Sequence, residues 1–219
     1  MAGDRSRSRP TRHARTPSTR GEHPVVTTPV RIAVAGTHST GKTTLLHRLE
    51  AELRARGHAV ARTPTSFAAQ AADLGFPKLQ QQSAECTEWI IAASAAASAQ
   101  ATLAAGVVLI DRSALDPVAY YLAALERGDR QPPASASQYL ETLARAYATG
   151  YDLLLATVLD PDVPLGDHRD RDLDYRAAVD AHLHRLLDTV PHQKVRNHPS
   201  DLEAAVQAAV TTVEKRAGR

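Results

Sequence analysis

Gly36, Thr37, His38, Ser39, Thr40, Gly41, Lys42 and Thr43 follow one another in the pattern G-x-x-x-x-G-K-[ST], and no other feature constrains this 219-residue chain as strongly. An apolar stretch, Arg31 to Ala35, runs into it, and the stretch leaving it carries leucines at 45, 46, 49 and 53, the spacing of one helical face. A strand that turns through glycines into a helix aims several backbone N–H groups at one point, and that nest suits phosphate. The expected ligand is a nucleoside triphosphate, ATP, with Mg2+. Residues 36 to 43 cradle its phosphates, Lys42 reaches the β- and γ-phosphates, the Thr43 hydroxyl ligates magnesium, and Thr44 supports the helix start.

Strand-like and helix-like stretches alternate through the rest of the chain. Gly57 stands where a helix C-cap is expected, and His58 to Arg62 reads as a second strand. A long helical region spans about 79 to 105, and Val107 to Ile110 is an unbroken apolar run of the kind buried on both faces of a sheet. Helices are predicted over about 115–127 and 135–149, a strand over 151–159, a helix over 172–188, a weak strand over 192–196 and a last helix from Pro199. The fold class is therefore α/β: a P-loop NTPase three-layer sandwich with a five-stranded parallel sheet, helices on both faces, and ligands outside the strand carboxyl ends.

Charge divides the chain at about residue 29. The first thirty residues carry Arg5, Arg7, Arg9, Arg12, Arg15 and Arg20 against Asp4 and Glu22, with no hydrophobic periodicity. Residues 1–29 are therefore expected to be a disordered basic tail, and 30–219 the P-loop domain. The remainder has 20 basic and 22 acidic side chains, which does not resemble a nucleic-acid-binding face. One cysteine, Cys86, allows no internal disulfide, and no apolar run is long enough to span a bilayer, so a cytoplasmic protein without a membrane partner is expected.

Asp111 closes the run Val107-Val-Leu-Ile-Asp111, the Walker B pattern, which places an acid near the phosphates as a second candidate magnesium ligand. Motor ATPases usually follow that acid with Glu, whereas here Arg112 follows. The Asn-Lys-x-Asp and Asp-x-x-Gly runs of signalling GTPases are also absent. Phosphoryl transfer to a bound acceptor is what remains.

Three stretches carry a resemblance over about residues 31 to 190: Gly36 to Leu45, Asp111 to Tyr120 (Asp-Arg-Ser-Ala-Leu-Asp-Pro-Val-Ala-Tyr), and Pro164 to Arg176. The chain resembles the nucleoside-type P-loop kinases, in particular the AAA-type ATPase/kinase group related to the ribosylnicotinamide kinase domain. That resemblance implies a small nucleoside-like acceptor, with Asp111 and Arg112 facing magnesium and the acceptor and Asp116 and Tyr120 matching later positions. It also implies that Arg169, Arg171 and Arg176 are lid arginines that close over the phosphates. Relatives present Glu-Pro after the second strand, where this chain has Thr63-Pro64. The proton-accepting role then passes to Asp111 or Asp116, or the acceptor chemistry has changed, or the chain is a regulatory ATPase with slow hydrolysis and no acceptor. Between the second and third strands, where such kinases build the acceptor pocket, Trp89 is a candidate to stack on a flat ring, weighed against a place in the core.

Overall fold

A computed structural model of the chain describes residues 28–64, 67–163 and 172–218. The basic tail lies outside the described residues except for Thr28 and Pro29, and Arg169 and Arg171 lie outside them as well.

Strands β1 (Val30–Ala35), β2 (Val60–Arg62), β3 (Val107–Asp111), β4 (Leu153–Thr157) and β5 (Gln193–Val195) form one sheet in the order β2-β3-β1-β4-β5. Every pairing is parallel. The helices are α1 (Lys42–Ala55), α2 (Phe67–Asp73), α3 (Ala84–Ala101), α4 (Leu115–Arg127), α5 (Ala134–Ala148), α6 (Leu173–Leu187) and α7 (Pro199–Ala217). Successive strand residues point to opposite faces, and that alternation sorts the core into two layers. Ile32, Val34, Leu109 and Leu155 pack with α1 and α7 on one face; Ala33, Val108, Ile110 and Ala156 pack with α3, α4, α5 and α6 on the other. The expected three-layer sandwich is the one observed.

Helix α1 buries Leu45, Leu46, Leu49 and Leu53 against the sheet. It stops because Gly57 adopts φ 84°, which lets the Gly57 and His58 amides bond back to the Arg54 and Leu53 carbonyls at 2.9 and 3.1 Å. Two features between β2 and β3 depart from the sequence reading. Helix α2 was not anticipated: its seven residues are too few for periodicity to register, and its stability comes from Phe67 and Ala71 packing on Cys86 and Ile90 of α3. The long helix begins at Ala84, not at about 79, because Leu79 has φ 53° and the Ser83 hydroxyl caps α3 by accepting from the Cys86 amide at 3.2 Å.

β1 sits at the centre with β3 and β4 on either side, so the chain's crossovers diverge around its carboxyl end, the usual ligand crevice of such sheets. Among the described residues no helix is long and apolar enough to cross a membrane. Leu109 is fully buried in β3, and Leu109→Ala should cost about 2–5 kcal/mol of unfolding free energy, read from chemical denaturation.

Candidate active site

The loop from Gly36 to Gly41 leaves β1 and enters α1, and its path requires the glycines it has. Gly36 has φ 149°, and a Cβ there would lie 1.9 Å from the Thr157 hydroxyl oxygen. Gly41 has φ 83° and accepts the Leu45 amide at 3.0 Å, the first bond of α1. Ser39, at φ 56°, holds a backbone conformation that side chains other than glycine adopt infrequently.

A loop that presents its amides to an anion must satisfy its carbonyls elsewhere. Here side chains from distant elements do so. Arg112 donates to the Gly36 carbonyl at 3.3 Å, and the Lys42 ammonium donates to that of Thr37. Arg176, on α6 and only 3% exposed, donates to the His38 and Ser39 carbonyls at 3.2 and 3.0 Å. The Thr40 and Thr157 hydroxyls lie 2.6 Å apart, and each is 2.9 Å from a carbonyl, that of Thr37 or Ala35 respectively.

Asp116, in the first turn of α4, ties the loop from its amino end. Its Oδ1 accepts from the Gly36 amide at 3.0 Å, and its Oδ2 accepts from the Ser113 amide and hydroxyl at 2.9 and 2.8 Å. Burial pushes its carboxyl above the ordinary range, opposed by the Arg112 and Lys42 charges and by these bonds. Its two oxygens tie the amino end of the loop to the start of α4. Arg176, expected as a lid arginine, stands at the start of α6 with its guanidinium on the carbonyls of the loop.

Asp111 ends β3, 6% exposed, and its amide donates to the Thr63 hydroxyl at 3.1 Å. Thr43 and Thr44 stand exposed in the first turn of α1. Thr43 and Asp111 offer a hydroxyl and a carboxylate, oxygen donors of the kind a hard cation such as Mg2+ takes, so the residues present fit that ion. Arg112, at φ 75°, lies over the Tyr120 ring at 5.3 Å from its centroid.

A cavity of about 410 Å3 opens beside the loop. His38, Asp111 and Arg112 line its phosphate end, and Phe67, Cys86 and Ile90 form an apolar wall contributed by α2 and α3. Trp89 is not in that lining; its ring centroid lies 6.0 Å from that of Phe76, in the small cluster behind the wall. Sequence reasoning missed Phe67 and Thr157. The only available signal for Thr157 was a hydroxyl residue closing a buried apolar strand.

A family model for the AAA domain matches residues 31–204. Among curated proteins no match is found. Among solved structures, this chain is similar to NadR protein in complex with NR (TM-score 0.63, 17% identity, 85% of this chain and 52% of that one). It is also similar to NadR protein in complex with NAD and AMP-PNP (TM-score 0.61, 18% identity, 85% and 50%). The chain spans about half the length of these structures, and at this identity the likeness is one of fold.

Gly36→Ala should destabilise the protein by roughly 1–3 kcal/mol, with a lowered Tm, because Thr157 is buried and cannot yield; adding Thr157→Ala should recover part of the loss. Burial also pushes the Cys86 thiol up. Alkylation of Cys86 should therefore be slower at pH 7 than that of an exposed cysteine, climb with pH beyond 9, and slow further when a small molecule fills the cavity. A rate like that of free cysteine would mean that the wall stands open.

Proposed function

The chain belongs to the AAA domain family, and from that membership we propose that it is a P-loop phosphotransferase that passes the γ-phosphoryl group of ATP to a small nucleoside-like acceptor. One observation carries the reading: the phosphate nest and a mostly apolar, acceptor-sized cavity share a boundary made of His38, Asp111 and Arg112. A cavity of this size and lining suits a ligand with a flat or aliphatic body and a few polar groups.

In this reading the loop amides and Lys42 hold the triphosphate, and Thr43 with Asp111 hold Mg2+, which would neutralise charge on the phosphate oxygens. Arg112 is 29% exposed, and its charge is held up, against burial, by Tyr120, Asp116 and Asp111; it faces the transferred group and the acceptor. Arg169 and Arg171 are proposed as lid residues. Arg176 acts by fixing the shape of the loop. Phosphoryl transfer depends mainly on such positioning and electrostatics.

A second reading, a nucleotide-binding regulator with slow hydrolysis and no acceptor, is favoured by one detail. Thr63 stands where relatives carry a carboxylate, and its hydroxyl is taken up by the Asp111 amide.

Incubation with ATP, Mg2+ and a panel of nucleosides, followed by 31P NMR, separates the two. A phosphorylated acceptor is expected, and inorganic phosphate as the sole product would favour the regulator. Lys42→Ala should reduce turnover by on the order of 10²–10³-fold, since it removes a charge aimed at the phosphates.

A further inference from the structure

A cavity with apolar walls tells one small molecule from another by its few polar atoms, and the inference that follows rests on the phosphotransferase reading above. Gln82 lines the cavity and is only 5% exposed. It follows the one-turn helix Leu79–Gln81, where its amide donates to the Leu79 carbonyl at 3.0 Å and its carbonyl accepts from the Arg130 guanidinium at 3.4 Å.

The side chain is fixed as well, and its orientation follows from what it touches. Nε2 lies 2.8 Å from the Thr87 hydroxyl oxygen and 2.9 Å from the Pro117 carbonyl. Both partners accept: the Thr87 hydroxyl donates its own hydrogen to the Ser83 carbonyl at 2.8 Å, and the carbonyl of Pro117 has none to give. The nitrogen of the amide is therefore turned to the protein with both of its hydrogens engaged. Among the described residues no donor reaches Oε1, and that oxygen keeps open surface. In a residue so deeply buried, the surface that remains is the one given to the cavity it lines.

We infer that Gln82 selects the acceptor: the molecule that receives the phosphoryl group carries a neutral N–H or O–H donor, other than the hydroxyl that is phosphorylated, and that donor binds Oε1. An exocyclic amine or carboxamide on a flat ring supplies such a group, and so does a second sugar hydroxyl. A carbonyl set against Oε1 would face acceptor against acceptor, and a C–H there would leave the oxygen desolvated and unpaired.

The position of Gln82 gives this contact a second consequence. Pro117 follows Asp116, whose Oδ1 accepts from the Gly36 amide at 3.0 Å, so the first turn of α4 holds both the phosphate loop and the Gln82 amide. A hydroxyl at the γ-phosphorus and a donor at Oε1 are thereby set a constant distance apart, and a molecule that meets both is oriented for transfer. Because the amide is already immobilised by Thr87 and Pro117, binding does not have to order it.

The test measures kcat/KM for transfer from ATP to matched nucleosides. Adenosine is compared with purine riboside, and cytidine with pyrimidin-2-one riboside, pairs that exchange an exocyclic amine for hydrogen; each amine is also compared with its 2′-deoxy form. Wild type should favour the donor-bearing member of one contrast by roughly 10–100-fold. An amine contrast places the donor on the ring, and the 2′ contrast places it on the sugar. In Gln82→Met, which keeps length and volume, and in Gln82→Leu, the two members of that pair should fall within about threefold of each other. A residue that only braced α3 against α4 through Thr87 and Pro117 would lower both members alike and keep their ratio, and that result would overturn the proposal. So would a wild-type enzyme with equal kcat/KM across every pair. If wild type phosphorylates none of these nucleosides and releases only inorganic phosphate, the phosphotransferase reading itself fails, and this inference with it.

Discussion

A backbone segment that turns its N–H groups toward an anion leaves its carbonyls pointing into the protein, and the rest of this structure is arranged around that constraint. The carbonyls from Ala35 to Ser39 are met by Thr157, Arg112, Lys42 and Arg176, side chains contributed by β4, the β3–α4 turn, α1 and α6. Asp116 holds the one amide, that of Gly36, that begins the turn. The shape of the loop is thus held by groups spread over more than a hundred residues of chain. Preorganised dipoles of this kind need no rearrangement when charge develops on a transferred phosphoryl group.

The same scaffold divides labour between two neighbouring spaces. On one side lie the nest and the first turn of α1. On the other lies a cavity walled by Phe67, Cys86 and Ile90. His38 and Arg112 belong to both: His38 is part of the loop, Arg112 is tied to it by its guanidinium, and both line the cavity. A chain with only the first space could bind a nucleotide; in the proposed reading the second is where the acceptor would sit.

How much of this the sequence disclosed depends on how local the cause was. The strand, loop and helix around residues 30 to 55 follow from glycine spacing and leucine periodicity, and the apolar run ending in Asp111 marks its own strand. Both stand in the structure within a residue or two of where the pattern puts them. Arg176 was expected as a lid arginine and Asp116 as a later position of the second stretch, both from the resemblance, but the loop atoms they hold, on His38 and Gly36, lie 138 and 80 residues away, a relation no periodicity encodes. Trp89 was weighed as a stacking platform because a lone Trp near an acceptor pocket attracts that reading; the rotation of α3 turns it toward Phe76 instead. Helix α2 escaped because a seven-residue helix draws its stability from the neighbour it packs on.

Every role proposed for these residues depends first on the nest taking up a triphosphate. Isothermal titration calorimetry of the full chain with a non-hydrolysable ATP analogue, run with Mg2+ and again with a chelator, tests this most directly. One molecule bound per chain, more tightly when Mg2+ is present, is the expected result. The absence of binding heat with any purine triphosphate in either condition would contradict it.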